Sequence, residues 1–305
     1  MYVIEFLKRT MRRSNIPVLI YLLLNVYLIT ELIQAFYASR GPSLYFWDAF
    51  LISVVVYAIS LTIALSPIGE WILRRQTRCV KIEDGALKDY LTPLFNEVYQ
   101  KAKEKDNAIS DKVQLYITED DEPNAFATGR KTICITTGLL ELPDELIKAT
   151  LAHEFGHLAH KDTDLILVVS VGNMIVTGFI LAVRLALTIM YLFFSFISVF
   201  IGGEGGFIAA LAMFIYHTVI SLVVSFLTWI WTKIGILLTM KSSRSNEYEA
   251  DAFAVSLGYG NDLRQLLTRI DSGASKGLFA SLVSSHPDTV KRLERINELM
   301  SSIIE

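Results

Sequence analysis

Leu151-Ala152-His153-Glu154-Phe155-Gly156-His157-Leu158-Ala159-His160 reads as one amphipathic helix carrying the pattern H-E-x-x-H. Residues four apart on a helix share a face one turn up, so His153 and His157 can offer imidazole nitrogens to one metal ion with Glu154 beside them. Catalytic zinc takes three protein ligands and keeps a fourth position for water. It lowers the pKa of that water from ~15.7 to about 7, while a neighbouring carboxylate takes the proton. The plainer reading is coincidence: three fixed positions in five recur by accident, and a histidine pair on a helix also serves as a packed polar face. The rest of the chain decides between the two.

Of 305 residues, 52% are hydrophobic, and the mean hydropathy of +0.44 is too apolar for an ordinary soluble protein of this size. Membrane spans account for it. A formal net charge of -3, with basic residues at the ends of apolar runs, argues against a nucleic-acid partner. Cys79 and Cys134 form no C-x-x-C and no framework, and read as small buried residues in a reducing compartment.

Upstream, Lys8, Arg9, Arg12 and Arg13 precede an apolar run from Ile16 to about Tyr37 whose only carboxylate is Glu31. A signal peptide is the rival reading, but the run exceeds an h-region, and Ser39-Arg40-Gly41 followed by Pro42 suits cleavage poorly. A retained span is expected. A second run, Phe46 to Ile68, ends before Glu70 and the basic residues Arg74, Arg75, Arg78 and Lys81. Both are long enough to cross ~30 Å of hydrocarbon. The charge bias puts the outer flanks of the pair on the cytoplasmic side, with only Arg40 in the intervening loop.

Glu70 to Asp164 has the composition of a soluble domain. Gly85 to Lys105 predicts an amphipathic helix in which Pro93 marks a kink or a later start. Val113–Ile117 and Thr132–Thr136 predict strands of a small sheet, joined through Asn124-Ala125-Phe126-Ala127-Thr128-Gly129. Pro143-Asp144-Glu145 opens the H-E-x-x-H helix, with its acids where the helix dipole favours them. Beyond Asp164, two long apolar helices, Leu165–Ile201 and Phe207–Met240, are divided by a turn at Gly202-Gly203-Glu204-Gly205-Gly206. An even number of crossings is needed if His157 and a downstream ligand are to meet. Arg184 reads as a snorkelling or helix-contacting residue, with a substrate-facing role as its rival, and His217 as an intramembrane polar contact. The tail predicts three helices: Ser243–Ala254, ended by Gly258-Tyr259-Gly260; Asn261 to Ile270; and one starting at Ser285-His286-Pro287-Asp288, with Val290, Leu293, Ile296 and Met300 at helical spacing.

The two histidines need a third ligand. An H-E-x-x-H-x-x-G-x-x-H site would require glycine at His160 and histidine at Thr163, so that arrangement is absent. Glu247 is the better candidate. Asp251 follows it by four residues on the same helical face and can accept the outer N–H of a ligand histidine; a solvated acidic face is the alternative for both.

H-E-F-G-H on a helix, N-E-Y-E-A-D after an apolar hairpin, N-A-F-A-T-G before a strand and S-S-H-P-D near the end together resemble the HtpX-type membrane zinc metalloproteases, relatives of the CAAX prenyl endopeptidases. The resemblance spans nearly the whole chain. It implies a mainly α integral membrane protein of about four transmembrane helices with a zincin-like α+β catalytic domain containing a small β-sheet. The division would be 1–69, two spans; 70–164, the first catalytic part; 165–240, a transmembrane hairpin; and 241–305, the second catalytic part. It implies one Zn2+ per chain on His153, His157 and Glu247, with Glu154 as general base and later proton donor, and Asp251 orienting a ligand. Asn124, Ala125, Phe126, Ala127, Thr128 and Gly129 resemble the family's edge strand that takes substrate main chain to main chain. His286 matches a family histidine beside the scissile carbonyl; an N-cap role ahead of Pro287 is its alternative. His160 has no counterpart among the ligands.

The implied activity is peptide-bond hydrolysis in membrane or misfolded proteins at the cytoplasmic face of the cell membrane, a quality-control and stress-response role, with both termini cytoplasmic. Polypeptide substrates and the lipid bilayer are the expected partners. A CAAX-type enzyme processing prenylated tails is the alternative, and a catalytically inactive metal-binding scaffold a further one. An intramembrane protease fits less well, because Lys148, Lys161 and Asp162 suit a membrane surface.

Overall fold

A computed structural model describes residues 15–38, 44–201, 203–270 and 289–304, together with Phe6, Thr10, Met11 and Gly41. Helix α1 spans Ile16–Ala38 and α2 spans Phe46–Ala64. Both are long and apolar enough to cross a membrane. They pack through a few polar contacts inside the pair: Asn25 donates to the Tyr57 hydroxyl (3.2 Å) and Thr30 to Ser53 (3.0 Å). In hydrocarbon such groups must satisfy one another.

The second apolar run is not one helix to Ile68. Pro67 has no N–H to continue the ladder, so α2 stops at Ala64 and Ser66 caps a new helix, α3 (Pro67–Gln76), accepting the N–H of Ile68 at 3.1 Å. After a two-residue strand, β1 (Val80–Lys81), comes α4 (Ala86–Lys105). The helix absorbs Pro93 without an interruption.

The sheet contains β2 (Gln114–Thr118), β3 (Ala125–Thr128) and β4 (Thr132–Thr136) in the order β1-β2-β4-β3, with β2 and β4 parallel and the other pairs antiparallel. The linking segment therefore supplies a strand of its own, and that strand is an edge. β1 was not predicted, and β3 was expected as an edge strand from the family resemblance alone, not from its residue pattern. Helix α5 (Asp144–His160) is buried along most of its length, and its Phe155 stacks against Tyr99 of α4 at 5.4 Å. Lys161 closes it in the left-handed conformation (φ 58).

Next come α6 (Thr163–Leu167), a π-helical turn at Val168–Gly172 and α7 (Asn173–Ile201). The expected single helix from Leu165 is thus interrupted. Helix α8 then runs unbroken over Gly203–Ser256, 54 residues. The glycine-rich segment is helical from Gly203 onward, and no break separates the apolar stretch from Glu247: the boundary expected near Met240 falls inside one helix. Antiparallel α7 and α8 form the hairpin that brings the chain back, and the Trp231 indole donates to Asn25 of α1 at 3.0 Å. Gly258, at φ +92, ends α8's helical path, and α9 (Gly260–Ile270) and α10 (Thr289–Ile304) complete the structure. The chain is a mainly α multi-pass membrane protein with a small mixed sheet.

Candidate active site

α5 and α8 cross with almost no space between them. A Cβ on Gly156 would lie 2.7 Å from the Cα of Ala250 and 3.0 Å from its carbonyl oxygen, so the backbones meet where one motif offers glycine and the other alanine. Three residues before that crossing stand His153 and Glu247, and one residue after it His157 and Asp251, so the approach puts histidines opposite carboxylates. His153 Nε2 lies 3.4 Å from Glu247 Oε2, His157 Nε2 lies 3.4 Å from Glu247 Oε1, and the two Nε2 atoms are 3.2 Å apart. Zinc bonds of ~2.0–2.1 Å at tetrahedral angles place ligand atoms about 3.3–3.4 Å from each other, so the three donors fit that ion. His153, Glu154 and His157 also bring ligand atoms within 4.8 Å of one another, a looser grouping. Glu247 is the better third donor, because it faces both Nε2 atoms while a Glu154 oxygen is engaged elsewhere.

That engagement comes from the edge strand. The Ala127 amide donates to Glu154 Oε2 at 2.7 Å, which holds the carboxylate beside the histidines and turns the free edge of β3 towards them. The strand is fixed at its turn. Arg130 donates its amide to the buried Glu70 of α3 (2.7 Å) and forks onto Asp164 (3.1 and 2.6 Å), while Thr163 donates to the Gly129 carbonyl. Gly129, at φ +61, also passes so close to Glu70 that a Cβ would overlap it. Burial raises the Glu70 carboxyl above the usual range, against the Arg130 amide and Arg74.

Each histidine is oriented from behind. Asp251 Oδ1 lies 2.9 Å from His153 Nδ1, and Asp162 Oδ2 lies 3.2 Å from His157 Nδ1. A proton on Nδ1 in each case leaves the Nε2 lone pair facing the shared point. His153 is 4% exposed. Burial disfavours its charged form, but the carboxylates of Asp251 and Glu247 outweigh that and push it up to about 10. Asp251 is held down to about 2: burial opposes this, and Arg292 and His153 overcome it.

Arg292 and Asp162 are the residues that sequence reasoning missed. Arg292, 2% exposed, donates from Nε and Nη2 to Asp251 at 2.7 Å each and sets Nη1 3.2 Å from Glu247. Its own ionisation is raised, because the carboxylates outweigh the cost of burial. On α10 the inward face carries Arg292 and Ile296, whereas Val290, expected in the apolar stripe, is 61% exposed. An H-E-x-x-H-x4-D spacing was the available signal for Asp162. None marked Arg292.

Of the residues singled out in the sequence, His153, Glu154, His157, Glu247, Asp251 and the strand residues Ala125–Thr128 come together here. Asn124 and Gly129 flank the strand. His286 lies outside the described residues. His160 donates from Nδ1 to the Gly156 carbonyl (2.8 Å), away from the three donors.

A model described as peptidase family M48 matches residues 88–300. Protease HtpX of Legionella pneumophila (strain Corby) is 30% identical over 216 residues, which cover 61% of this chain and 70% of that protein. The protease HtpX homologue of Campylobacter hominis is 28% identical over 218 residues, covering 62% and 70%. A crystal structure of S. mikatae Ste24p aligns with a TM-score of 0.41 at 20% identity, over 97% of this chain but only 65% of that one.

Proposed function

The chain belongs to peptidase family M48, and from that premise we propose that it is a zinc-dependent endopeptidase cutting membrane or misfolded proteins at the cytoplasmic face. The observation that carries the reading is the set of three donors 3.2–3.4 Å apart with a carboxylate beside them that an edge strand holds in place. We assign the metal to His153, His157 and Glu247, and ligand orientation to Asp251 and Asp162. Bound there, zinc supplies Lewis acidity towards the scissile carbonyl and lowers the pKa of a water to about 7.

The chain's own residues do the rest. Glu154 takes the proton of the attacking water and returns it to the leaving amine. The segment Asn124–Gly129 receives the substrate as an added strand, so backbone hydrogen bonds give affinity and little depends on substrate sequence. His286 is assigned to the developing oxyanion on the resemblance of S-S-H-P-D to the family's motif. The catalytic unit comprises residues 70–164 and 241–305, interrupted by the transmembrane hairpin. A cytoplasmic catalytic domain and termini are supported by Lys8, Arg9, Arg12 and Arg13 before the first span and Arg74, Arg75, Arg78 and Lys81 after the second.

The test pairs zinc content with cleavage of an unfolded model substrate by the detergent-purified protein. Glu154→Gln keeps zinc near one per chain and loses cleavage, and Glu247→Ala loses zinc. Turnover by the first variant, or unchanged zinc in the second, overturns the assignment.

A further inference from the structure

At one end of the sheet lies a cavity of about 490 Å³ that the chemistry above does not use. The volume falls within the ~300–1,000 Å³ of ordinary small-ligand sites. Three segments wall it: the last turn of α4 and the loop after it, the turn between β3 and β4, and the end of α5. The sheet brings the first two together, since the Gln114 amide that opens β2 donates to the Lys131 carbonyl at 2.8 Å. Thr163, just past α5, donates to the Gly129 carbonyl of the same turn.

Lys103, Arg130, Lys131 and Lys161 line this cavity, all half-buried, and among the described lining residues Asp111 is the one carboxylate. Asp111 meets Lys103 at 2.7 Å, with its own side chain 83% exposed. Arg130 is fixed by Asp164, which does not line the cavity, and Glu70 is taken up by Arg74 at 3.5 Å. Counting Asp164 with the wall still leaves four cations against two carboxylates. Lys161 moreover closes α5 in the left-handed conformation, where glycine is the ordinary residue, so its cation stands there at a cost in backbone strain. Half-buried cations gathered round a concave site repel one another unless an anion joins them.

The register of the spans gives the height of this wall. Asn25 meets Tyr57 and Trp231, and Thr30 meets Ser53, so counting along antiparallel helices puts Ile16 of α1 level with Ser66, just past α2, and with Met240 of α8. All three apolar runs end close to these positions, which mark the edge of the hydrocarbon on the catalytic-domain side. Leu165 packs with Leu61 and Leu65 just inside that edge. Asp164, which holds Arg130, precedes it by one residue, and Lys161 by four, about 6 Å at ~1.5 Å per residue. The headgroup layer is ~5–8 Å thick on each side, so Arg130 and Lys161 stand at its height. Basic clusters at that level attract anionic lipids. We infer that this cavity binds the headgroup of an anionic phospholipid of the leaflet facing the catalytic domain, its phosphate held by Lys131 and Lys161 beside the fixed Arg130. Bound there, the lipid joins the turn that follows β3 to the end of the helix that carries both histidines.

Native mass spectrometry of the full chain, delipidated in detergent and returned to phosphatidylglycerol or phosphatidylcholine, tests this. Wild type retains about one tightly held phosphatidylglycerol per chain with a preference of ~10-fold or more, the usual scale of a charge-assisted contact. The pair Lys131→Glu and Lys161→Glu, made together, abolishes the preference. The pair Lys105→Glu and Lys112→Glu makes the same charge change on exposed lysines outside the cavity and keeps it. Equal loss in both pairs would make the preference a general effect of surface charge, and an undiminished preference in the first pair would put the lipid elsewhere; either result overturns the site. Should the first pair not fold, Lys131→Gln alone decides, and a wild-type preference in it overturns the site equally. Displacement of the lipid by inorganic phosphate at matched concentration would make this a free-anion site and refute the inference.

Discussion

Gly156→Ala adds a single methyl group where α5 and α8 touch, and its consequences follow from distances. The new carbon would sit 2.7 Å from Ala250 Cα and 3.0 Å from its oxygen, against a comfortable separation of about 3.5–4.0 Å. Both obstructing atoms are backbone, so no rotamer change relieves them and the helices must part by about 1 Å. Overpacking of this kind costs ~1–3 kcal/mol, and the better helix propensity of alanine returns up to ~1 kcal/mol, so folding survives with a modest loss. The metal site does not. His153 and His157 ride on α5 and Glu247 on α8, so the 3.4 Å separations widen by about the same ~1 Å, beyond what one tetrahedral zinc spans. Zinc content should fall well below one per chain, and kcat/KM should drop by ~100-fold, the scale of an ångström's misplacement at a reacting centre. The assay is metal content by emission spectrometry alongside cleavage of an unfolded substrate, with a thermal melt as the folding control. Ala250→Gly should not rescue the variant, because it removes Cβ and leaves the nearer Cα in place. A Gly156→Ala protein that folds, holds stoichiometric zinc and cleaves at the wild-type rate would refute the reasoning.

Two further expectations concern the buried charges. His153, pushed up to about 10 from an ordinary 6.5, contributes stability to the chelated protein that is full below pH 6.5 and lost as pH rises through 10. Metal binding needs the neutral ring, so zinc uptake at pH 7–8 releases about one proton from His153, measurable by calorimetry in two buffers of different ionisation enthalpy; proton-neutral uptake would contradict this. Arg292→Gln strands Asp251 and Glu247 without their buried partner and should cost ~3–5 kcal/mol of stability and ~10–100-fold in zinc affinity, with Arg292→Lys intermediate; wild-type melting and zinc retention in Arg292→Gln would show the network to be incidental.

Much of the site was legible because helical spacing is rigid: His153 and His157, like Glu247 and Asp251, sit four apart, and the structure brings both pairs to one point. The first two spans were legible from length and apolarity, but the end of α2 was overrun, since Pro67 closes a helix whose hydropathy continues. The glycine-rich segment misled in the opposite sense. A Cβ on Gly206 would lie 2.0 Å from the Ser198 carbonyl oxygen, so its missing side chain serves the close return of α8 on α7 and leaves the backbone helical. Strand β3 had too little β-propensity to announce itself as Ala-Phe-Ala-Thr; pairing with β4 makes it a strand. Arg292 was hidden for a physical reason as well. Arginine on a surface-like helix reads as solvated, and only the two carboxylates brought in from α8 make its burial favourable.

The continuity of α8 also bears on where cleavage takes place. Its apolar stretch runs to Met240, and Glu247 follows seven residues later on the same helix, about 10 Å further along the axis at ~1.5 Å per residue. An enzyme that cuts within hydrocarbon needs its metal at bilayer depth, together with a route for water to that depth. Here the donors stand beyond the end of the span, among Arg292, Asp162 and Asp251, and beside an edge strand with unpaired backbone groups that hydrocarbon would not tolerate. On the proposed function, a substrate bond reaches them in a segment that has left the membrane and lies extended along β3. Because Glu247 is joined to the span by uninterrupted helix, a tilt of α8 in the bilayer would move one ligand against the two on α5, and the Gly156–Ala250 contact is what holds that register.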